Sequence, residues 1–330
     1  DFKMSEHRFK SLPRVSTVEI NVSPHGSEAI LRSEEQHIIH VKINKQGPPI
    51  DKVLVAESDA TTIDNPAPLE ISKGDLDLRQ LTFRQEKAGN IRQGIVWAKD
   101  GKSFFMLQEH GLLQRVNVAT GKTEQFAELS ERCGGIAMSG EGLLVSLIES
   151  GELRVLNPDK LGELRKKISI PKLGHITSGT DASIAWVAVP SGEPGVRSAV
   201  QAVDLKTGKF DTIYDSCDGK RLLAPNDLVF DRQGGFWFSD HGTGAGDGGL
   251  FYARTDGSSV RRWKEGGAPN GVGLSPDEKT VYYADTGQRR VYGFEIASPG
   301  VLTVKPSRPD GLVVELPAGN LLDSLAVEAG

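Results

Sequence analysis

The feature that most constrains the fold is a pattern that recurs along the chain from about residue 91. Each repeat contains a short apolar run, a turn with Gly or Asp, a second apolar or aromatic run, and a third run that ends in a polar turn. The aligned repeats start 41, 41, 51, 44 and 53 residues apart, at Gln93, Gly134, His175, Asn226, Asn270 and Asp323. This period is typical of β-propeller blades, each of which is a four-stranded antiparallel sheet.

The period predicts an all-β protein, a six-bladed β-propeller with seven blades as the alternative, in which residues 1–330 form one domain. Strands are also predicted near the start of the chain, at 18–22, 29–31, 37–43 and 52–56. They either complete the blade that begins at Asp323, which is the preferred arrangement, or form a blade of their own, because an unclosed propeller exposes a sheet edge. We expect residues 1–16 to be a flexible or edge segment and 59–90 to be a connector with one or two edge strands. The best candidate helix, 159–167, is too short to organise a domain.

Composition narrows the classes of partner. The 39 basic and 44 acidic residues give a net charge of -5, which disfavours a general nucleic-acid or anionic-membrane surface because both need clustered Lys and Arg. The sequence has no run of about 18 apolar residues that could span a bilayer. Cys133 and Cys217 have no metal-type spacing and are expected to be free core thiols in a reducing compartment. A cytoplasmic monomer or weak oligomer is therefore expected.

Residues that precede the first strand of each blade are expected to meet at one mouth of the central channel. At this position the repeats carry Gln93, Gly134, His175, Asn226, Asn270 and Asp323, joined by Val18 or Glu19 if the N-terminal strands form a blade. Two amide oxygens and a carboxylate in three consecutive blades are hard ligands that suit Ca²⁺ or Mg²⁺. The alternative is that each Asn is only a turn residue that tolerates unusual backbone angles.

Three linked motifs in the last part of the chain carry a family resemblance. They are Pro-Asn-Asp at 225–227, Pro-Asn-Gly at 269–271 and Asp-Ser at 323–324, in order and at blade spacing. With their flanking strands they make residues 199–330 resemble the senescence marker protein/gluconolactonase/luciferin-regenerating enzyme family of six-bladed propellers.

The resemblance implies a hydrolase of sugar lactones or related cyclic esters, so the expected partner is a small-molecule lactone. One divalent cation would be bound at the channel mouth by a Glu, Asn270 and Asp323, with Asn226 beside it. Ca²⁺ is the first expectation, and Zn²⁺, Mn²⁺ and Mg²⁺ are alternatives. Asp323 is then the expected general base. Substrate contacts or support for the ligands are expected from Asp227, His175, Gln93 and His241.

The first half of the chain departs from the family pattern. The family has its Glu two repeats before the residue that matches Asn226, and at that place this chain has Gly134. If the count of repeats is off by one blade, the matching residue is Gln93. Glu131 or Glu19 could substitute only if the strand register shifts. His175 could add a nitrogen ligand, or it is a hydrogen-bonded channel residue. Loss of a carboxylate should weaken a Ca²⁺ site, because affinity depends on the charge of the ligands.

Further departures keep a second function open. Ala224 stands where some relatives place a substrate-binding Arg, and the chain lacks the family's last strands, as a permuted, truncated or recombined propeller would. The second hypothesis is therefore a non-catalytic β-propeller, similar to NHL-type or YVTN-type repeat proteins, that binds a protein partner.

Two common hydrolase or nucleotide-binding signals are disfavoured. The serines at 139, 146 and 239 lie in no Gly-x-Ser-x-Gly elbow, which disfavours a serine hydrolase. The glycine-rich segment 242–249 follows a predicted strand but opens no helix, so it is expected to be a channel-mouth loop rather than a phosphate loop. The four tryptophans are expected to pack between blades.

Overall fold

We describe the fold from a computed structural model. It describes residues 94–108, 111–171, 173–190, 197–303, 309–315, 322 and 325, together with the backbone of four N-terminal strands. These residues form strands and turns and contain no helix. A helix long and apolar enough to cross a membrane is accordingly absent from the described residues.

The strands form successive antiparallel sheets, which we call blades 1 to 6. Blade 1 consists of β1 Val18–Val22, β2 Glu28–Ser33, β3 Ile38–Ile43 and β4 Leu76–Gln80. Blade 2 consists of β5 Ile95–Trp97, β6 Ser103–Leu107, β7 Leu112–Asn117 and β8 Thr123–Glu128. Blade 3 consists of β9 Cys133–Met138, β10 Leu143–Leu147, β11 Glu152–Leu156 and β12 Leu164–Ser169. Blade 4 consists of β13 Ile176–Ser178, β14 Ile184–Val189, β15 Ala199–Asp204 and β16 Phe210–Tyr214.

A short hairpin separates blade 4 from the last two blades and consists of β17 Ser216–Cys217 and β18 Lys220–Arg221. Blade 5 consists of β19 Pro225–Phe230, β20 Gly235–Asp240, β21 Gly249–Arg254 and β22 Val260–Glu265. Blade 6 consists of β23 Pro269–Leu274, β24 Thr280–Asp285, β25 Arg290–Ser298, β26 Val301–Thr303 and β27 Leu312–Glu315. In blade 6, β26 and β27 both pair with β25.

The first strand of each blade lies innermost. Strand β1 lies beside β5, β5 beside β9, β9 beside β13, and β19 beside β23, whereas β19 contacts β14 of blade 4. Radial stacking of four-stranded antiparallel sheets around inner first strands is the β-propeller architecture that the repeat period predicts. The all-β fold class is confirmed.

The N-terminal strands pair with one another in the order β1-β2-β3-β4. They therefore form a four-stranded sheet with one another. The two arrangements open from the sequence differ in what begins at Asp323, so both stay predictions. The fourth strand of this sheet lies within 59–90, the expected connector, while the predicted strand at 52–56 lies outside the described residues. Because Asp323 also lies outside them, the number of blades in the closed ring stays a prediction.

Apolar side chains fill each interface between successive blades from blade 2 to blade 6. The second strands are mostly apolar and almost entirely buried, since both of their faces are covered. In β20, Phe236 and Phe238 face blade 4, while Trp237 between them packs toward blade 6. Trp186 of blade 4 lies with its ring centroid 5.1 Å from that of Phe236. Trp186, Trp237 and Trp263 pack between blades, which confirms the expectation for these three. Trp97 is buried in a cluster of blade 2 residues.

The two cysteines and the candidate helix were also predicted from the sequence. Cys133 and Cys217 are free and buried, as expected, and burial raises the pKa of the Cys133 thiol to about 12. The candidate helix 159–167 is wrong: its second half belongs to β12, which pairs with β11. Hydrogen bonds to a neighbouring strand override a weak helical pattern in an exposed segment of this length.

Candidate functional site

The first strands of blades 5 and 6 begin with the same irregularity. Two residues of β19, Asn226 and Asp227, face a single residue of β20, Ser239. In blade 6, Asn270 and the glycine after it face Ala284 of β24 in the same way. Such β-bulges bend a strand and change the direction of its side chains, and they are common next to active sites.

A buried carboxylate fixes the loop that leads into each bulge. Asp240, at the end of β20, accepts hydrogen bonds from the backbone N–H groups of Leu223 and Ala224, both at 2.7 Å. Asp285, at the end of β24, accepts one from the N–H of Ala268 at 3.2 Å. Each asparagine is thus held between a bulge and a loop whose backbone donors are satisfied by a buried acid.

Asn270 has one satisfied and one unsatisfied side-chain group. Its side chain is in a residue only 8% exposed, and Nδ2 donates to Oγ1 of Thr286 at 3.2 Å. Thr286 in turn donates to the carbonyl oxygen of Leu322. Oδ1 of Asn270 is buried without a hydrogen-bond partner among the described residues. A buried carbonyl oxygen left unpaired costs about 1–3 kcal/mol, so this atom is suited to receive a cation or a donor from a ligand.

Asp227 links blades 4, 5 and 6. Its carboxylate accepts the N–H of Leu228 at 2.9 Å and, across the blade interface, the N–H of Val272 at 3.0 Å. On the other side, Nε2 of His175 lies 3.6 Å from Oδ1 of Asp227. The side chain of His175 is 37% exposed and that of Asp227 is 13% exposed. The structure therefore brings His175, Asp227 and the start of β23 together, as the propeller phase predicts.

The neighbouring serine is structural. The backbone N–H of Asp227 donates to Oγ of Ser239 at 3.1 Å, and Ser239 donates to the carbonyl oxygen of Asn270. Ser146 plays the same part between blades 3 and 4, where it donates to the carbonyl oxygen of Gly174 at 3.0 Å. Because each hydroxyl proton is already used, neither serine is placed as a nucleophile.

The hydrogen bond from Ser239 to Asn270 was not predicted from the sequence. A usable signal exists, since Ser239 directly precedes the buried acid that ends the second strand of its blade. The roles of Asp240, Asp285 and Thr286 were also missed. Their signal is the acid that ends the second strand of blades 5 and 6, which Thr286 follows in blade 6.

The carboxylate that the family pattern requires does not come from Gly134. A Cβ atom at Gly134 would lie 2.6 Å from the carbonyl oxygen of Gly174, so the backbone here accepts no side chain without moving. Glu131, the nearby substitute, accepts hydrogen bonds from N and Oγ of Ser150 at 2.9 and 2.7 Å. The side chains of Gln93, Glu19 and Asp323 lie outside the described residues.

The remaining candidates stand on the same side of the propeller. Asn226 is half-buried on the bulge of β19. His241 follows Asp240, and its backbone N–H donates to the carbonyl oxygen of Ala224 at 2.8 Å. Thr286 makes the corresponding bond to Ala268 in blade 6 at 3.0 Å.

The glycine-rich segment that follows His241 connects β20 to β21 and is bonded to the entrance of blade 6. Gly267 donates to the carbonyl oxygen of Gly246 at 3.0 Å, and Gly266 donates to that of Gly248 at 2.9 Å. Within the loop, Asp247 accepts the N–H and the hydroxyl of Thr243, both at 2.8 Å. These hydrogen bonds lower the pKa of Asp247. The loop thus lies against the chain that leads to Asn270, and no helix follows it.

The donor set of the site is dominated by oxygen. No group of three or more His, Cys, Asp and Glu side chains able to hold a metal occurs within the described residues. Oδ1 of Asn270 is the buried oxygen that is left unpaired at this site by the described residues. In the sequence, Asp323 follows Leu322.

Residues 194–329 match the family model described as SMP-30/Gluconolactonase/LRE-like region. The match confirms, for that part of the chain, the resemblance derived from the three motifs. A gluconolactonase of Zymomonas mobilis subsp. mobilis is 29% identical over 175 residues, which cover 49% of this chain and 46% of that protein. Lactonase drp35 of Staphylococcus haemolyticus is 34% identical over 109 residues, which cover 32% of each chain. The chain thus spans less than half the length of these curated relatives.

Two solved structures share the fold over more of the chain. Hydrazine synthase of Kuenenia stuttgartiensis superposes with a TM-score of 0.58 at 14% identity, over 89% of this chain and 80% of that one. A nidogen/laminin complex gives a TM-score of 0.52 at 14% identity, over 77% of this chain and 92% of that one. At this identity the likeness extends to the fold alone.

Proposed function

We propose that this protein is a lactonase: a hydrolase of sugar lactones or related cyclic esters that uses one divalent cation at the channel mouth. The observation that carries the proposal is the buried, unpartnered Oδ1 of Asn270. It belongs to the Pro-Asn-Gly motif in the part of the chain that matches the gluconolactonase family model. The lactonase relatives, at modest identity and partial coverage, support the same reaction class.

The residues around Asn270 fit a hard cation. Asn270, Asp323 and Asn226 would hold it through amide and carboxylate oxygens, the donors that Ca²⁺ and Mg²⁺ prefer. A bound ion would satisfy Oδ1 of Asn270, which the described protein atoms leave unpaired. With Gly134 in place of an acid, the site has fewer carboxylates than the family pattern, and we expect Ca²⁺ to bind more weakly for this reason.

When bound, the cation would polarise the lactone carbonyl and lower the pKa of water in the site. The protein's own groups then position the reactants. Asn226 and Asn270 are fixed by their bulges, and Asp323 takes the proton of the attacking water as general base. The water oxygen bonds to the carbonyl carbon, the ring C–O bond breaks, and the ring oxygen leaves as an alcohol after receiving the proton from Asp323. The product is a hydroxy acid.

His175 has the position for a substrate contact. Its side chain is partly exposed, and Nε2 lies 3.6 Å from the carboxylate of Asp227. His241 and Gln93 are the other proposed substrate contacts. A lactone that carries several hydroxyls offers donors and acceptors for all three residues.

The test is acid release from gluconolactone in a pH-stat, measured above the uncatalysed rate. We expect activity that EDTA removes and that one of Ca²⁺, Zn²⁺, Mn²⁺ or Mg²⁺ restores. The same ion should raise the melting temperature, because a ligand that binds only the folded state stabilises it. Asp323→Ala should abolish the activity while the protein remains folded.

The opposite result is equally clear. Absence of acid release and of any melting shift with all four ions would contradict the lactonase and favour a non-catalytic propeller that binds a partner. If activity persisted after EDTA and dialysis, the lactonase reaction would be supported and the need for a cation would be contradicted.

A further inference from the structure

We infer that Thr286 is a positioning residue that sets the orientation of the Asn270 amide and holds the chain that enters Asp323. The inference rests on the proposed function, because it concerns the same cation site. It starts from two hydrogen bonds: Nδ2 of Asn270 with Oγ1 of Thr286 at 3.2 Å, and Oγ1 of Thr286 with the carbonyl oxygen of Leu322.

The direction of these bonds follows from the atoms involved. A backbone carbonyl only accepts, so the single proton of the Thr286 hydroxyl is committed to Leu322. The hydroxyl can then only accept from the side chain of Asn270, which must present its NH₂ group. The two ends of an amide are hard to distinguish from shape alone, and the hydrogen-bond network decides which is which. Here it directs Nδ2 toward Thr286 and leaves Oδ1 as the free end.

The reverse orientation would be harmful to a cation site. It would place the NH₂ group, which carries partial positive charge and has no lone pair to give, where the ligand oxygen is needed. Thr286 therefore holds the Asn270 amide in the one of its two similar orientations that leaves the oxygen available as a metal ligand. Through Leu322 it also holds the backbone one residue before the second proposed ligand, Asp323.

Thr286 is itself held in place by the backbone. Its N–H donates to the carbonyl oxygen of Ala268 at 3.0 Å, and the N–H of Ala268 donates to the carboxylate of Asp285. The hydroxyl thus sits on a frame made by the same loop that leads into Asn270. In blade 5 the equivalent frame carries His241, which has no hydroxyl.

The experiment compares Thr286→Val, which keeps the shape of the side chain but loses the hydroxyl, with Thr286→Ser, which keeps the hydroxyl. Isothermal titration with Ca²⁺, Zn²⁺, Mn²⁺ and Mg²⁺ is the first measurement, since it reads binding without turnover. For the ion that the unaltered protein binds, we expect Thr286→Val to lose affinity about 10- to 100-fold, the range for residues that orient a ligand. Thr286→Ser should stay close to the unaltered protein.

The second measurement reads the amide directly. In ¹⁵N-labelled protein treated with EDTA, the side-chain NH₂ signals of Asn270 should exchange slowly with water in the unaltered protein and in Thr286→Ser, and fast in Thr286→Val. A melting temperature for Thr286→Val near that of Thr286→Ser shows that the fold is kept; if it does not fold, Thr286→Cys replaces it with a much weaker donor.

The outcomes separate this inference from the proposed function. Equal ion affinity and equal amide exchange in the Val and Ser variants would overturn the role of Thr286 while leaving the lactonase proposal standing. Protected amide signals that depend on the hydroxyl, in a protein that binds none of the four ions, would uphold the positioning of Asn270 and overturn the cation site.

Discussion

Blades 5 and 6 have the same backbone frame but different polar links. In both, a bulge follows the proline of the first strand, and an acid that ends the second strand holds the preceding loop. On this frame blade 5 carries Asp227 and Ser239, where blade 6 carries a glycine and Ala284.

The difference shows how the site is assembled. Asp227 binds the N–H of Val272, and Ser239 binds the carbonyl oxygen of Asn270. Blade 5 therefore fixes the first strand of blade 6, and blade 6, through Thr286, fixes the chain at Leu322. Blade 5 thus supports Asn270 of blade 6, and Thr286 supports it from within blade 6, so the site depends on contacts between blades as well as within one.

The largest effect should separate the two asparagines. We expect Asn270→Ala to reduce the kcat/KM for gluconolactone at least about 100-fold, because a direct ligand should matter more than the 10- to 100-fold of an outer residue. Asn226, the proposed ligand on the half-buried bulge of blade 5, is more exposed than Asn270, so water can replace its oxygen and Asn226→Ala should lose only about 10-fold. Initial rates in the pH-stat with the activating ion measure both. Equal losses would show that the two bulges are functionally equivalent.

Removal of the link from Asp227 should destabilise the fold. Asp227→Ala leaves the N–H groups of Leu228 and Val272 without their acceptor, and we expect a loss of about 2–3 kcal/mol in the free energy of unfolding. Asp227→Asn keeps one acceptor oxygen and should lose less. Urea denaturation measures the change, with Asp211→Ala at an exposed position of β16 as the matched control, expected within about 0.5 kcal/mol of the unaltered protein. If Asp227→Ala and the control had the same free energy of unfolding, the hydrogen bonds of Asp227 would not stabilise the fold.

A smaller loss is expected when blade 5 is made to resemble blade 6. Ser239→Ala gives β20 the alanine that β24 has at 284, and it leaves the N–H of Asp227 and the carbonyl oxygen of Asn270 unpaired. We expect about 1–2 kcal/mol less stability in the same urea experiment. Thr303→Ala, at an exposed position on β26, is the control. If Ser239→Ala retained full stability but lost ion binding, the serine would act on the geometry of Asn270 alone.

The smallest effect concerns the loop of blade 5 that blade 6 lacks. Hydrogen bonds from Thr243 lower the pKa of Asp247 from its ordinary value of 3.8. The carboxylate of Asp247 accepts these bonds in its ionised form. Its contribution to the stability of the folded protein is therefore complete above the pKa that Asp247 has in the unfolded chain. It is lost as the pH falls through the lower pKa of the folded state. The amide chemical shift of Thr243 should therefore be constant at neutral pH and change below pH 3.8. Asp247→Asn should abolish this titration; a Thr243 shift that titrates near neutral pH would point to another group.

The sequence predicted the fold because one period governs it. Apolar runs at blade spacing indicate the second strands, where Phe236, Trp237 and Phe238 are covered on both faces. The weakest point was the outer strand: β12 is mostly exposed, so its residues carry little periodic signal and suggested a helix. Pairing with β11, which no local pattern encodes, decides its conformation.

The site was predictable only in part. The blade period predicted that His175 and Asn270 converge, and the family motifs named Asn270 as a ligand and Asp227 as a supporting residue. The links through Ser239 and Thr286 were not predictable, because they join residues 31 and 36 positions apart to backbone carbonyl oxygens. A carbonyl oxygen is common to every residue and leaves no mark in the sequence.

Trp186 of blade 4 packs on Phe236 of blade 5, so the two blades share an aromatic core. The region that matches the family model begins at residue 194, between β14 and β15, in the middle of blade 4. A protein cut there would lose β14, the partner of β15, and the tryptophan that covers blade 5. As a separately expressed fragment, the stretch that similarity delineates would expose an aromatic face and an unpaired strand edge, two features that favour aggregation.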